Sequence, residues 1–518
     1  MLAIEHFGRG VDRFSDRDVV VYPQGAITYR DMDEIAVRIG QMLMRSGVGP
    51  DDKVAILSVN HPMVLACQYG LLKAGAIWVP VNYRNTAQEN ARQLAALDVK
   101  WLFFHSDLGE QIPYISEHVP AISGYVSIDQ KLPGFAFLSD WSEPGGAEPV
   151  AFPNRLSTDH VALLSTSGTT GLPKGAMHSN RSWETMIASY YAMMPFEEPP
   201  VHLVVAPLTH AAGVLHYAFL ARGATTVLLD SADPAAILAA IEKYKISLLF
   251  LPPTVIYMCL AHPDVRKHDY SSLKYLVYGA APMSVEKLKE AMQVFGPVMM
   301  QNYGQTECLM MAVVLTPADH AEILRNPDAA HRIAAAGREA PFCRVDVMAD
   351  DGAIMPRGEV GEIVFRSDYV MDGYYKDPEG TATVSTFGWH HTGDVGFKDK
   401  DGYVYLVDRK RDMIISGGFN VFPGEVEQVV MAHASVQDCV VVGVPHEKWG
   451  EMVIAAVQLK EGAQLDEQDV IAMCKERLGS VKAPKRIEIW ETLPRSTVGK
   501  TLRRVVRDKY WGNAARKI

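Results

Sequence analysis

The alternation of short β-rich runs with helix-length stretches over residues 50–300 constrains the fold of this chain more than any other feature. The β-rich runs are predicted strands at residues 54–59, 77–81, 101–104, 161–164, 203–206, 225–229, 248–251 and 273–278. Predicted helices between them include residues 62–73, 234–244 and 285–295. Because strands and helices in this order build parallel sheets covered by helices, the pattern predicts doubly wound α/β layers.

The pattern of predicted secondary structure changes after residue 335. Short runs at 344–348, 362–365 and 403–407 are separated by Asp-Gly turns, which predicts a small antiparallel or barrel-like β subdomain. Beyond Asp408, about 110 residues carry their own strand and helix pattern, the size of a separate domain. We therefore predict a large N-terminal domain, residues 1–408, whose β-rich part is about 335–408, and a small α+β C-terminal domain, residues 409–518.

Composition excludes several classes of protein. Charged residues make up 21% of the chain and the net charge is −11, which favours neither disorder nor a nucleic-acid-binding surface. The six cysteines are scattered singly and predict neither disulfides nor a zinc site. No signal peptide is visible, and the most apolar stretch, residues 248–260, contains two prolines and is too short to cross a bilayer. We expect a cytoplasmic protein without a membrane span.

A glycine-rich loop with many hydroxyl side chains follows the predicted strand 161–164. Residues 163–175 read Leu-Leu-Ser-Thr-Ser-Gly-Thr-Thr-Gly-Leu-Pro-Lys-Gly, and we expect this loop to join a strand to a helix. Glycines let backbone N–H groups approach phosphate oxygens, hydroxyls add donors, and the lysine supplies a charge. The predicted phosphate-binding residues are Thr166, Ser167, Gly168, Thr169, Thr170, Gly171 and Lys174. The common P-loop is excluded because Pro173 precedes the lysine, and a flexible connector is the alternative.

Several further segments accompany this loop in a fixed order. They are residues 278–282 (Tyr-Gly-Ala-Ala-Pro), 302–307 (Asn-Tyr-Gly-Gln-Thr-Glu), 392–394 (Thr-Gly-Asp), 408–409 (Asp-Arg) with 416–418 (Ser-Gly-Gly), and 494–500 (Pro-Arg-Ser-Thr-Val-Gly-Lys). In this order they resemble the adenylate-forming superfamily of acyl-CoA synthetases, luciferases and peptide-synthetase adenylation domains, over nearly the whole chain. The resemblance implies an ATP-dependent, AMP-forming acid–CoA ligase.

The resemblance implies how ATP and Mg²⁺ would bind. Tyr303 would stack on adenine, Thr306 would contact the α-phosphate, and Asp394 would accept the ribose hydroxyls. Glu307 and the Thr166 hydroxyl would hold Mg²⁺, a hard cation that takes oxygen ligands. An ordinary loop or turn carboxylate is the alternative for both acidic residues. The implied nucleotide-binding set outside the loop is Gly279, Ala280, Ala281, Asn302, Tyr303, Gly304, Thr306, Asp394 and Arg409.

Two half-reactions at one site are also implied. Lys500 would orient the acid toward the α-phosphorus, and the C-terminal domain would then swing about Asp408. The segment Ser416, Gly417 and Gly418 would line the path of the coenzyme A thiol arm.

Two aromatic or basic features leave alternatives open. Trp449 would stack on the adenine of coenzyme A, with an ordinary core or surface tryptophan as the alternative. Arg503, Arg504 and Arg507 have the spacing of a solvated helix face rather than of a nucleic-acid or membrane patch.

The acid itself is indicated only by the predicted pocket. His210 matches a position at the pocket mouth, where it would gate the pocket or steer the carboxylate; a packing residue is the alternative. The predicted walls are Tyr278, Gly279, Ala280, Ala281, Met299, Met300, Gly304 and residues 309–314. Because these walls are apolar, adaptable and without a cation, they favour a medium-chain fatty acid or an aromatic or arylalkenoic acid over an amino acid or dicarboxylate.

Three other functions fit parts of the pattern. An enzyme that loads a separate carrier protein would use the same first half-reaction. A non-catalytic nucleotide-binding regulator could have lost Glu307 or Lys500, which are both present. A luciferase-like role is disfavoured because the chain has no peroxisomal ending. The resemblance also allows a homodimer.

Overall fold

The fold was analysed in a computed structural model, which describes residues 1–143, 145, 148–166, 174–209, 211–281, 283–495 and 501–511. The chain divides into two compact units. The first comprises Met1–Val345 and Phe365–His390, and the second comprises Asp346–Val364 and His391–Ile518. A domain boundary at Asp408 stays a prediction.

Several of the described helices begin with ordinary capping signals. Pro62 and Pro234 occupy the first turns of their helices, and the Asp233 carboxylate accepts from the Ala236 N–H. The helices are α1 (Ala3–Phe14), α2 (Tyr29–Arg45), α3 (Pro62–Lys73), α4 (Ala87–Ala96), α5 (Ile112–His118), α6 (Leu138–Trp141), α7 (Asn180–Met193), α8 (Ala211–Leu215), α9 (Pro234–Lys243), α10 (Pro253–Ala261), α11 (Val285–Phe295), α12 (Pro317–Arg325), α13 (Pro378–Val384), α14 (Pro423–Met431), α15 (Glu467–Lys482) and α16 (Arg503–Trp511). None of these described helices is both long and apolar enough to cross a membrane.

The strands form four sheets. They are β1 (Asp18–Tyr22), β2 (Gly25–Thr28), β3 (Lys53–Leu57), β4 (Ile77–Val81), β5 (Val99–Phe104), β6 (Gly124–Ser127), β7 (Ala136–Phe137), β8 (His160–Thr166), β9 (Lys174–Ser179), β10 (Val201–Val204), β11 (Thr225–Leu228), β12 (Leu248–Leu251), β13 (Tyr275–Gly279), β14 (Met299–Gln305), β15 (Cys308–Leu315), β16 (Arg338–Glu339), β17 (Arg344–Met348), β18 (Gly361–Arg366), β19 (Gly373–Tyr374), β20 (His390–Lys398), β21 (Val404–Arg409), β22 (Ile414–Ser416), β23 (Phe419–Val421), β24 (Val436–His446), β25 (Gly450–Leu459) and β26 (Arg486–Trp490).

Two large sheets dominate the first unit. One has nine strands in the order β16-β15-β14-β13-β12-β10-β11-β1-β2, and the other has eight in the order β19-β9-β8-β4-β3-β5-β6-β7. Their central strands pair in parallel, while antiparallel pairs occur at both ends of the nine-stranded sheet and at the β19 end of the eight-stranded sheet. Buried aliphatic side chains of β12, β13, α9, α10 and α11 form a single core cluster on the first sheet. The prediction of α/β layers is confirmed.

The other two sheets are smaller. The predicted β-rich region contains a four-stranded sheet in the order β17-β18-β20-β21. In the C-terminal region, β23-β22-β25-β24 pair in that order and β26 joins β25 in parallel. Helices α14 and α15 supply Val426, Val430, Val470 and Cys474 to the core of this last sheet. An α+β C-terminal region is therefore present, as predicted.

Candidate active site

The predicted phosphate loop joins two antiparallel strands rather than a strand and a helix. Strand β8 pairs with β9, and Thr166 faces Lys174 as the final pair before the loop. Helix α7 starts only at Asn180, because residues 174–179 are held in the sheet by β8 on one side and β19 on the other. The predicted loop residues Ser167, Gly168, Thr169, Thr170 and Gly171 lie outside the described residues, as do His210 and Lys500.

Lys174 is held by two side chains that sequence reasoning missed. Its Nζ donates to Asp377 Oδ2 at 2.7 Å and lies 4.8 Å from the centroid of the Tyr374 ring. Asp377 also caps α13 by accepting from the Gly380 N–H at 2.8 Å. The hydrogen bond from the lysine lowers the pKa of Asp377, with a smaller contribution from that backbone N–H. Lys174 is therefore oriented by an ion pair and an aromatic face.

Thr306 and Glu307 form the turn between β14 and β15. His178 on β9 donates from Nε2 to the Thr306 carbonyl at 2.7 Å. Burial lowers the pKa of His178 to about 4, so the ring is neutral at physiological pH and one nitrogen can donate. The Glu307 carboxylate accepts from the Tyr374 hydroxyl at 2.7 Å. The turn at Thr306 and Glu307 is therefore hydrogen-bonded to β9, the strand that begins at Lys174.

The residues predicted to surround adenine lie on neighbouring strands. Gly279, at the end of β13, pairs with Asn302 on β14, and a Cβ at Gly279 would lie 2.5 Å from the Asn302 carbonyl oxygen. Ala280 has a left-handed φ of 64°, a strained conformation that favours glycine. A Cβ at Gly304 would lie 2.7 Å from the Met310 carbonyl carbon. Only glycine fits at both close approaches.

Two polar or aromatic side chains complete this region. Asn302 is buried, and its Nδ2 donates to the Tyr190 hydroxyl at 3.2 Å. Its Oδ1 is buried and has no hydrogen-bond partner among the described residues. The Tyr303 ring meets Phe365 edge-on, with centroids 5.6 Å apart.

Two predicted pocket residues are buried in the interior. Tyr278 belongs to the core cluster under the nine-stranded sheet, and its hydroxyl donates to Gln301 Oε1 at 3.0 Å. The same hydroxyl lies 2.9 Å from His320 Nε2, and burial lowers the pKa of that histidine to about 4. Met300 on β14 is also fully buried, and its side chain points to the opposite face of the strand from that of Met299. Their place in an acyl pocket stays a prediction.

The two predicted ribose contacts lie together. Asp394 on β20 and Arg409 on β21 are cross-strand partners, and Arg409 Nε lies 2.6 Å from Asp394 Oδ1. The Asp394 N–H donates to the Thr392 hydroxyl at 3.0 Å, which holds the Thr-Gly-Asp turn. Asp394 is 6% exposed, so its carboxylate is fixed rather than solvated.

The predicted hinge residue is an acceptor for three groups. The Asp408 carboxylate accepts from the backbone N–H of Arg409 and of Gly424 at 2.7 and 2.6 Å. It also accepts from Arg503 Nη1 at 3.1 Å. The prediction of a fully solvated arginine face on α16 is therefore wrong for Arg503, which turns toward the carboxylate.

The predicted coenzyme A residues also lie together. Gly417 and Gly418 have left-handed φ angles of 59° and 84° after Ser416, which pairs with Gly450. The Gly417 N–H donates to the Trp449 carbonyl at 2.8 Å. Trp449 stacks on His446 with ring centroids 4.4 Å apart and is only partly buried. The segment and the tryptophan are therefore parts of one surface.

A cavity of about 480 Å³ opens at the other end of the β8–β9 hairpin. His160 and Ser179, which line it, are paired across the hairpin. Thr166 lies six residues farther along β8, about 20 Å away along an extended strand. His160 and Ser179 are therefore distant from Thr166, whereas another lining residue, Met371, donates its N–H to the Glu307 carbonyl at 2.7 Å.

Comparisons with known proteins show the family to which the chain belongs. The AMP-binding enzyme family matches residues 7–375, and the AMP-binding enzyme C-terminal domain family matches residues 425–500. The chain is similar to a feruloyl-CoA synthase of Amycolatopsis sp, with 35% identity over 493 residues that cover 94% of each protein. It is 34% identical over 516 residues to a medium/long-chain-fatty-acid–CoA ligase of Mycobacterium tuberculosis, covering 94% of this chain and 86% of that one. The solved structure of an amide bond synthetase from Marinactinospora thermotolerans has 31% identity and a TM-score of 0.88, covering 98% of this chain and 100% of that one.

Proposed function

We propose that the substrate of this protein is a hydrophobic monocarboxylic acid. The chain belongs to the AMP-binding enzyme family, as an ATP-dependent, AMP-forming acyl-CoA synthetase of the adenylate-forming superfamily. The acid would attack the α-phosphate of ATP to give an acyl adenylate and pyrophosphate, and the coenzyme A thiol would then displace AMP. One observation carries the assignment of the site: the Tyr374 side chain touches both the predicted phosphate lysine, Lys174, and the predicted metal ligand, Glu307.

The oxygen donors at this place fit Mg²⁺. The Glu307 carboxylate and the Thr166 hydroxyl are hard ligands, and within the described residues no cluster of three or more acidic, histidine or cysteine side chains forms a closed metal cage. Such a site suits a cation whose remaining ligands are ATP oxygens and water. When bound, Mg²⁺ would offset the charge of the polyphosphate, and Lys174 would hold the leaving pyrophosphate.

The nucleoside would be held by groups that are already fixed. The Asn302 Oδ1 would accept from an amino group such as that of adenine, and the Tyr303 ring would stack on the base. Gly279 lets β13 lie close to Asn302 on β14, since a Cβ there would collide with the Asn302 carbonyl. The Asp394 carboxylate, with Arg409 at its side, would accept the ribose hydroxyls.

The second half-reaction would use the glycine turn of the C-terminal region. We propose that Ser416, Gly417 and Gly418 border the thiol arm and that Trp449 stacks on the coenzyme A adenine. The hydrogen bond between Gly417 and Trp449 supports their acting at one surface. Replacement of Lys500 by this segment, through a swing about Asp408, remains an implication of the resemblance. A cytoplasmic location and a homodimer also stay predictions.

A panel of acids tests the proposed substrate class. We expect acid-dependent pyrophosphate release with octanoate, palmitate, benzoate or 4-hydroxycinnamate, and much less with acetate, because only the larger acids bury apolar surface in the pocket. The substrates named for the two relatives, a feruloyl group and medium or long fatty chains, support this range. Release with an amino acid and none of these acids would contradict the proposal. Thioester yields with coenzyme A and with a free carrier protein then distinguish the two acceptors.

A further inference from the structure

We propose that Tyr374 is a positioning residue that fixes the Glu307 carboxylate for the metal and polyphosphate of ATP. The inference rests on the proposed function and adds a residue that the sequence motifs do not contain. The Tyr374 hydroxyl donates to Glu307 Oε1 at 2.7 Å, and the tyrosine is 8% exposed. A hydrogen bond of this kind selects one orientation of a metal-binding carboxylate.

The backbone around Tyr374 joins the two hairpins of the site. Just before it, the Met371 N–H donates to the Glu307 carbonyl at 2.7 Å, so the segment is attached to the β14–β15 turn. Tyr374 itself pairs with Ala176 on β9, two residues after Lys174. Residues 371–374 are therefore hydrogen-bonded both to β9, the strand that begins at Lys174, and to the turn that carries Glu307. These hydrogen bonds fix the position of Tyr374.

The same side chain also orients the lysine. Lys174 Nζ lies over the Tyr374 ring and pairs with Asp377, three residues farther along the chain. A cation over an aromatic face is attracted to the ring, and the ion pair keeps the amine at that face. Tyr374 therefore fixes the relative position of the two groups that would hold the metal and the leaving pyrophosphate.

The neighbouring tyrosine provides a matched control. The Tyr375 hydroxyl donates to Asp98 Oδ2 at 2.7 Å, and Lys53 Nζ lies 4.8 Å from its ring centroid. Tyr375 lies in the turn after β19 and makes the same pair of interactions with partners other than Glu307 and Lys174. Tyr374→Phe and Tyr375→Phe each keep the ring and remove one hydroxyl that donates to a carboxylate.

The experiment compares metal binding and the two half-reactions in both variants. Mn²⁺ binding is measured by electron paramagnetic resonance with the full-length protein and α,β-methylene ATP, which cannot release pyrophosphate. We expect Tyr374→Phe to weaken Mn²⁺ binding about tenfold or more and to raise the KM for MgATP more than it lowers kcat. We expect Tyr375→Phe to bind as wild type does. Thioester formation from a supplied acyl adenylate needs no polyphosphate and should stay unchanged in both.

Two results would overturn the role of Tyr374. One is equal Mn²⁺ binding by the two variants, and the other is a parallel loss of both half-reactions with a lower unfolding temperature, which indicates a purely structural residue. Absence of acid-dependent pyrophosphate release in the wild type would instead count against the proposed function. Mn²⁺ binding to the ATP-analogue complex would still test the positioning of Glu307 in that case.

Discussion

Replacing Lys500 by alanine is expected to slow adenylate formation about a hundredfold or more, while leaving thioester formation from a supplied acyl adenylate near the wild-type rate. The resemblance assigns this lysine to the first half-reaction alone, where its charge would align the acid with the α-phosphorus and offset developing negative charge. Removing one such preorganised donor typically lowers a rate by about a hundredfold to a thousandfold. Acid-dependent pyrophosphate release measures the first step, and acyl-CoA formed from synthetic adenylate measures the second.

A nearby arginine serves as the control for this variant. Arg504 is 60% exposed and lies on the helix that follows Lys500, so Arg504→Ala removes one positive charge from the same segment. We expect it to change neither half-reaction, because an exposed charge acts weakly through solvent. Equal losses in both half-reactions for Lys500→Ala would show that the lysine is not specific to adenylate formation. A similar loss in Arg504→Ala would show that the general charge of the segment matters.

The sequence predicts well those elements whose signals are local. Helices α3 and α11 begin and end where predicted, because a proline or serine precedes an apolar face and a change of pattern follows. The pairing of Asp394 with Arg409 agrees with their expected shared role, since both belong to recognisable motifs. Local pattern therefore accounts for most of the α/β fold, and the nucleotide-binding roles of the motif residues stay predictions.

The missed features depend on contacts between distant residues. Strand β9 reads Lys-Gly-Ala-Met-His-Ser, which has no clear period, and it is a strand because β8 and β19 pair with its two edges. Tyr374 lies in a two-residue strand, so no periodicity could reveal it. Its partner Glu307 is 67 residues away in sequence. Without that pairing, the sequence gives no reason to connect the lysine of the loop with the carboxylate.

Arg503 shows the same limit for charged residues. Its spacing with Arg504 and Arg507 is typical of a solvated face, yet Arg503 is only 22% exposed and faces three carboxylates. Its Nη2 donates to both oxygens of Glu427, at 2.8 and 2.9 Å, and its Nη1 lies 2.9 Å from Asp412. Spacing along a helix identifies which residues share a face, but not which of them turn toward a partner.

We expect Arg503→Met to lower the stability of the C-terminal region more than any exposed-charge variant, and to do so most at alkaline pH. Removing one partner from a half-buried ion-pair cluster costs about 3 kcal/mol. This corresponds to a fall of about 6–12 °C in unfolding temperature for a unit of this size. The Glu427 carboxylate explains why the loss of stability should be larger at alkaline pH. Burial raises its pKa, and the Arg503 charge is the main effect that lowers it.

The sign of this pH dependence can be tested directly. A carboxyl group whose folded pKa lies above its unfolded value stabilises the fold below the unfolded value of 4.5, and that contribution is lost as the pH rises through the folded pKa. Removing Arg503 raises the folded pKa of Glu427 further. The loss of stability in Arg503→Met, relative to wild type, should therefore grow between pH 5 and pH 8. Differential scanning calorimetry at both pH values measures it, with Arg504→Met as the control. A deficit that shrinks toward pH 8 would mean that lost packing, rather than the unbalanced carboxylates, explains the effect.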